Sequence, residues 1–78
     1  MNDVKEKVRS FLARRLNLSQ NEIADDSDFA EGLGIDSLDF VELMTFVEDS
    51  YDIEIPESEV LSLQSIDALG DYLRALGF

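Results

Sequence analysis

Ser37 lies in Gly-Ile-Asp-Ser-Leu-Asp, residues 34–39, with carboxylates at Asp36 and Asp39 on either side. A serine hydroxyl between acids can cap a helix, accept a phosphoryl group, or act as a nucleophile when a base takes its proton. The last of these lacks its parts. The chain contains no histidine and no cysteine, so the usual general base, thiolate chemistry, disulfides and Cys/His zinc sites are all missing. The lysines fall on a segment that the sequence does not place near Ser37, and the carboxylates form no evident acid/base pair. No catalytic residue is assigned. A calcium loop started at Asp26 would use Asp26 and Asp28. It then meets Ala30 and Glu31 where an acid or amide and a glycine belong, so no specific metal site is expected.

The local chemistry around Ser37 favours a helix start. Asp36 can cap the helix, and Asp39 three residues later can reach back in a variant of the capping box. Ser37 then falls in the first turn with its side chain outward, among free N–H groups at the positive end of the helix dipole. That setting suits a phosphate. From the Asp-Ser-Leu tripeptide alone, both a plain helix start and an acceptor serine remain open.

Four helices and one long connection must position this serine. Val4, Val8, Phe11, Leu12 and Leu16 recur at helical spacing and predict a first helix over 3–16, capped by Asn2 or Asp3. Residues 17–36 form a long polar connection anchored by Leu18, Ile23, Phe29, Leu33 and Ile35. It holds a capped turn at 19–22 and two glycines, Gly32 and Gly34, in conformations that other residues resist. A second helix runs from Ser37 to about Tyr51. Its apolar arc is Phe40, Val41, Leu43, Met44, Val47 and Tyr51, with Leu38 and Phe46 on the acidic side. Leu38 is read as an apolar anchor for partners. Phe46 is either another anchor or is covered by the long connection or the third helix. Pro56 suits the first turn of a short helix through Leu61. Ser65 caps a last helix whose inner stripe is Ile66, Leu69, Leu73 and Leu76, weakened slightly by Gly70. Three longer helices and one short one make an all-α fold, a small four-helix bundle with a long loop between the first two helices.

Charge narrows the partners. Net charge is −12, with five of the six bases in the first fifteen residues. Between Leu16 and Leu73 there is no base, while 16 of the 18 acids (all but Asp3 and Glu6) fall there. Such a field repels nucleic acid and anionic lipid and attracts basic protein surfaces. With 45% hydrophobic residues the chain has enough apolar content to fold as one domain over 1–78, and no run reaches the ~18 apolar residues of a membrane span. The expectation is a soluble, cytoplasmic monomer.

Residues 28–60, DFAEGLGIDSLDFVELMTFVEDSYDIEIPESEV, closely resemble the acyl carrier protein family. The resemblance rests on the Leu-Gly-x-Asp-Ser-Leu-Asp core, on the Val-Glu-Leu that follows, and on Glu-Ile-Pro opening the third helix. It extends more loosely to length, to the Ser65-Ile66 helix start and to acidity. It implies that Ser37 carries a 4'-phosphopantetheine arm, donated by coenzyme A through a magnesium-dependent phosphopantetheinyl transferase, with Asp36 and Leu38 supporting that modification. It implies a non-catalytic carrier of acyl thioesters between enzymes of fatty acid biosynthesis. Those acyl-transfer, condensing and reducing enzymes would dock through basic patches on Asp36, Leu38, Asp39, Glu42, Glu48 and Asp49. An acyl chain would shelter among Phe40, Val41, Met44, Val47, Ile55, Leu63 and Leu69. Phe40, Thr45, Val60 and Leu61 differ from the residues common at their places and point to a smaller pocket or different partners. Other cargoes (polyketide, aminoacyl or peptidyl, unusual lipid) are the alternatives within the carrier class. Outside that class stands an unmodified acidic interaction module.

Overall fold

The computed structural model describes residues 3–78. The element order is α1 (Asp3–Leu16), a 3-10 turn (Gln20–Glu22), α2 (Ser37–Tyr51), α3 (Glu57–Val60) and α4 (Ile66–Ala75), with no strand among the described residues. The all-α bundle agrees with the sequence reading, as do the bounds of α1 and α2; α3 is shorter than expected, with Pro56 and Leu61 flanking it rather than lying within it. The cap expected from Asn2 or Asp3 rests on side chains outside the described set.

Local signals account for the boundaries. Asp36 Oδ1 accepts from Asp39 N–H at 2.9 Å and starts α2. Asp52 ends α2 in the left-handed conformation at φ 54°, which a short polar side chain tolerates. Ser65 Oγ accepts from Ala68 N–H at 3.1 Å to start α4. Glu22 Oε2 accepts from Ser19 N–H at 2.8 Å across the 3-10 turn.

The core joins α1 to both α2 and α4, its contacting neighbours. Val4, Val8 and Leu12 of α1 meet Leu43, Met44 and Val47 of α2 and Ile66, Leu69 and Leu73 of α4 in one buried cluster. Leu76 does not belong to the inner stripe. It follows the last helical residue, where the 3.6-residue period no longer applies, and is 51% exposed. Val41 is 57% exposed, so the buried arc of α2 is narrower than its helical wheel suggests. Phe46 is half-buried against the core and finds its partner on α1. It stacks on Phe11 of α1, with ring centroids 4.7 Å apart at 23°.

The connection over 17–36 is pinned as its anchors required. Ile23, Phe29 and Ile35 are buried, with Leu18 and Leu33 packed at the edge. Its backbone is tied across the fold, since Phe29 N–H donates to Gln64 O at 2.7 Å and Asp67 N–H to Asp25 O at 3.0 Å. Lys5 of α1 bonds Asp67 at 2.8 Å and Arg9 pairs with Asp25, so charges close the same seam. Gly34 has the left-handed φ of +73° foreseen for it. Gly32 is required for a different reason: a Cβ there would come within 2.7 Å of Asp28 O.

Candidate functional site

Ser37 is the first residue of α2 and is exposed. Its place is built from both directions. Upstream, Ile35 N–H donates to Phe29 O at 3.0 Å, which ties the approach to the helix to the most buried side chain of the connection. Downstream, the Asp36 cap takes up Asp39 N–H, while Phe40 N–H donates to Asp36 O at 3.0 Å. The N–H groups of Ser37 and Leu38 have no intrahelical acceptor and stand at the positive end of a 15-residue helix.

Beside the hydroxyl lies a hollow of about 230 Å³ lined by Ala30, Ile35, Asp36, Ser37, Phe40 and Gln64. Phe40 is half-buried, its ring 6.3 Å from that of Phe29. Of the residues expected to line an acyl space, Met44, Val47, Ile55, Leu63 and Leu69 are brought together in the core. Phe40 lines the hollow at the serine, and Val41 faces outward instead.

The six residues expected at a docking surface divide into three groups. Leu38 is 61% exposed, and Asp36 and Asp49 are exposed. Asp39 interacts in two directions: the Asp36 backbone N–H helps hold its carboxylate ionised, as the expected reach-back requires, and α1 supplies a second partner. Asp39 Oδ1 accepts from Arg15 Nε of α1 at 2.8 Å, and the same guanidinium pairs with Glu42 through Nη1. The hydrogen bond from Arg15 holds the Asp39 carboxyl below its ordinary range against the opposing effect of desolvation, and it raises Arg15 in return. Glu48 turns away from the surface, and its Oε2 accepts from Ile55 N–H at 2.7 Å. That bond closes the segment between α2 and α3, a structural task that sequence spacing did not show.

Arg15 is the residue at this site that sequence reasoning missed. It lies 24 residues from Asp39, and only the packing of α1 on α2 joins them. Among the described residues no group of three or more acids, histidines or cysteines is arranged to hold a metal ion, and no helix is long and apolar enough to cross a membrane.

The model of the family described as "Phosphopantetheine attachment site" matches residues 6–73, a span that contains Ser37 and the whole of α2. A curated acyl carrier protein of Akkermansia muciniphila is 40% identical over 73 residues, covering 94% of this chain and 91% of that protein. The chain belongs to the acyl carrier protein family.

Proposed function

We propose that Ser37 is the attachment point of a 4'-phosphopantetheine arm, and that the chain carries acyl groups between enzymes of fatty acid biosynthesis. One observation carries the reading. Within the segment matched by the family model, Ser37 combines an exposed hydroxyl with the open N-terminal turn of α2 and a capping acid immediately before it. The residues fit the group. The hydroxyl is reachable, the N–H groups of Ser37 and Leu38 suit a phosphodiester, and the hollow bordered by Ile35 and Phe40 can receive an apolar segment. When attached, the arm supplies the thiol that holds acyl groups as thioesters, which explains how a chain without cysteine can serve sulfur chemistry.

This chain's own residues orient and present. Asp36 fixes the helix start and so the direction of the Ser37 hydroxyl. Asp36, Asp39, Glu42 and Asp49 give the transferase and the acyl-processing enzymes an acidic face, with Leu38 as a small apolar anchor. Contacts of this kind form fast and release fast, as a shuttle requires; apart from the bond that Ser37 Oγ forms to the arm, the chain's residues orient and present rather than react. The carrier acts as a single domain, as a monomer in the cytoplasm, on cargo that the partner enzymes determine.

The test is an intact mass. The purified chain, incubated with coenzyme A, magnesium and a broad-specificity phosphopantetheinyl transferase, gains one arm. A folded chain that gains none rules the reading out. Acyl groups recovered on the chain from its native cell then report the pathway: saturated fatty chains support fatty acid synthesis, and polyketide or aminoacyl groups replace it.

A further inference from the structure

The acids nearest Ser37 differ in what already occupies them. Asp39 and Glu42 share the guanidinium of Arg15, which reaches across from the last turn of α1 and bonds Asp39 at 2.8 Å. A planar fork matches two carboxylates well, so the contact is specific. It is also solvent-accessible, with side chains 31%, 21% and 42% exposed for Arg15, Asp39 and Glu42, and exposed pairs are weak and exchangeable. The two carboxylates and one guanidinium together present a net charge of −1 rather than −2 to an approaching cation.

We propose that Arg15 is an internal competitor for the basic docking surface of the phosphopantetheinyl transferase. It occupies Asp39 and Glu42 in the free chain, and the partner's cations reach those carboxylates only by displacing it. The inference rests on the reading of Ser37 as the attachment site and names a determinant of docking there. The same displacement favours release, because Arg15 returns to the acids as the partner leaves. Arg15 thus lowers affinity for a carrier that must visit enzymes in turn, while the apolar contact at Leu38 is untouched.

The test compares the transferase reaction for the full chain with Arg15→Ala and with Arg14→Ala. Arg14 is an exposed neighbour whose removal changes net charge equally. Arg15→Ala is expected to lower KM by about threefold to tenfold with kcat little changed, the size of one or two exposed ion pairs. Arg14→Ala is expected to lower it by less than about twofold. Adding Asp39→Asn and Glu42→Gln to Arg15→Ala removes the gain. Circular dichroism establishes that each variant is folded, and surface binding of the transferase to Ser37→Ala and Ser37→Ala/Arg15→Ala chains measures docking without modification. A KM that is unchanged or raised in Arg15→Ala, or lowered equally in Arg14→Ala, overturns the inference and leaves the carrier reading standing. A wild-type chain that is neither modified nor bound overturns both.

Discussion

Phe29 anchors the connection that leads to Ser37, and replacing its side chain tests how far the position of Ser37 depends on that anchor. It is fully buried in the middle of the 17–36 connection. Its N–H holds Gln64 O and its carbonyl holds Ile35 N–H, two residues before Ser37. Phe29→Ala removes a ring packed near Phe40 and leaves a cavity, at a cost of about 3–5 kcal/mol. At roughly 0.05–0.15 kcal/mol per residue, a chain of 78 residues has only about 4–12 kcal/mol of stability in all. Phe29→Ala therefore approaches global unfolding, whereas Phe29→Leu, with most of the volume kept, costs about 1–1.5 kcal/mol. Urea titrations followed by helical circular dichroism measure both. The Leu variant should remain folded at 25 °C with its thermal midpoint lowered by roughly 4–12 °C. An Ala variant that loses less than about 1 kcal/mol would show that the connection is not pinned by Phe29, and the account of how Ser37 is positioned would fall with it.

Three further outcomes follow from the same contacts. Glu48→Ala removes the acceptor of Ile55 N–H and should cost about 1.5–3 kcal/mol in urea, with Glu48→Gln recovering part of it; no loss in the Ala variant contradicts the structural role given to Glu48. Leu73→Ala should cost about 2–5 kcal/mol and Leu76→Ala within about 0.5 kcal/mol, because Leu73 is fully buried and Leu76 follows the helix end; equal losses would restore Leu76 to the core. Asp39 has a lower pKa folded than unfolded, so its stabilising contact with Arg15 is complete above the ordinary carboxylate value and is lost as pH falls through the folded value. The stability difference between the wild-type chain and Arg15→Ala should therefore be present at pH 7 and shrink below about pH 4; a difference that persists undiminished to pH 2 points to packing rather than charge.

How much was legible in the sequence depended on the range over which each signal acts. The starts of α2 and α4 rest on Asp36 and Ser65, whose capping bonds lie within three residues and were readable; Pro56 marked the start of α3 by its fixed backbone, standing just before the helix rather than in its first turn. The anchors of the long connection were readable because a buried Phe29 or Ile35 stands out in a polar stretch. Side-chain roles set by helix crossing were not. A wheel drawn on α2 alone assigns Val41 inward and Phe46 outward. With α1 packed against one side of α2, the aromatic ring finds Phe11 while Val41 is left in solvent. Asp39, Glu42 and Glu48 all read as helix-surface acids, yet a guanidinium from α1 and an N–H seven residues downstream take them up. The serine itself was legible as a helix start, and the surrounding motif, rather than the tripeptide, pointed to its modification.

The central claim is that one hydroxyl, at Ser37, holds the arm. Fragmentation mass spectrometry of the chain after reaction with coenzyme A and the transferase tests it most directly. The expected result is a single arm on the peptide containing Ser37, and none on a folded Ser37→Ala chain. An arm found on another serine, or retained by Ser37→Ala, would contradict it.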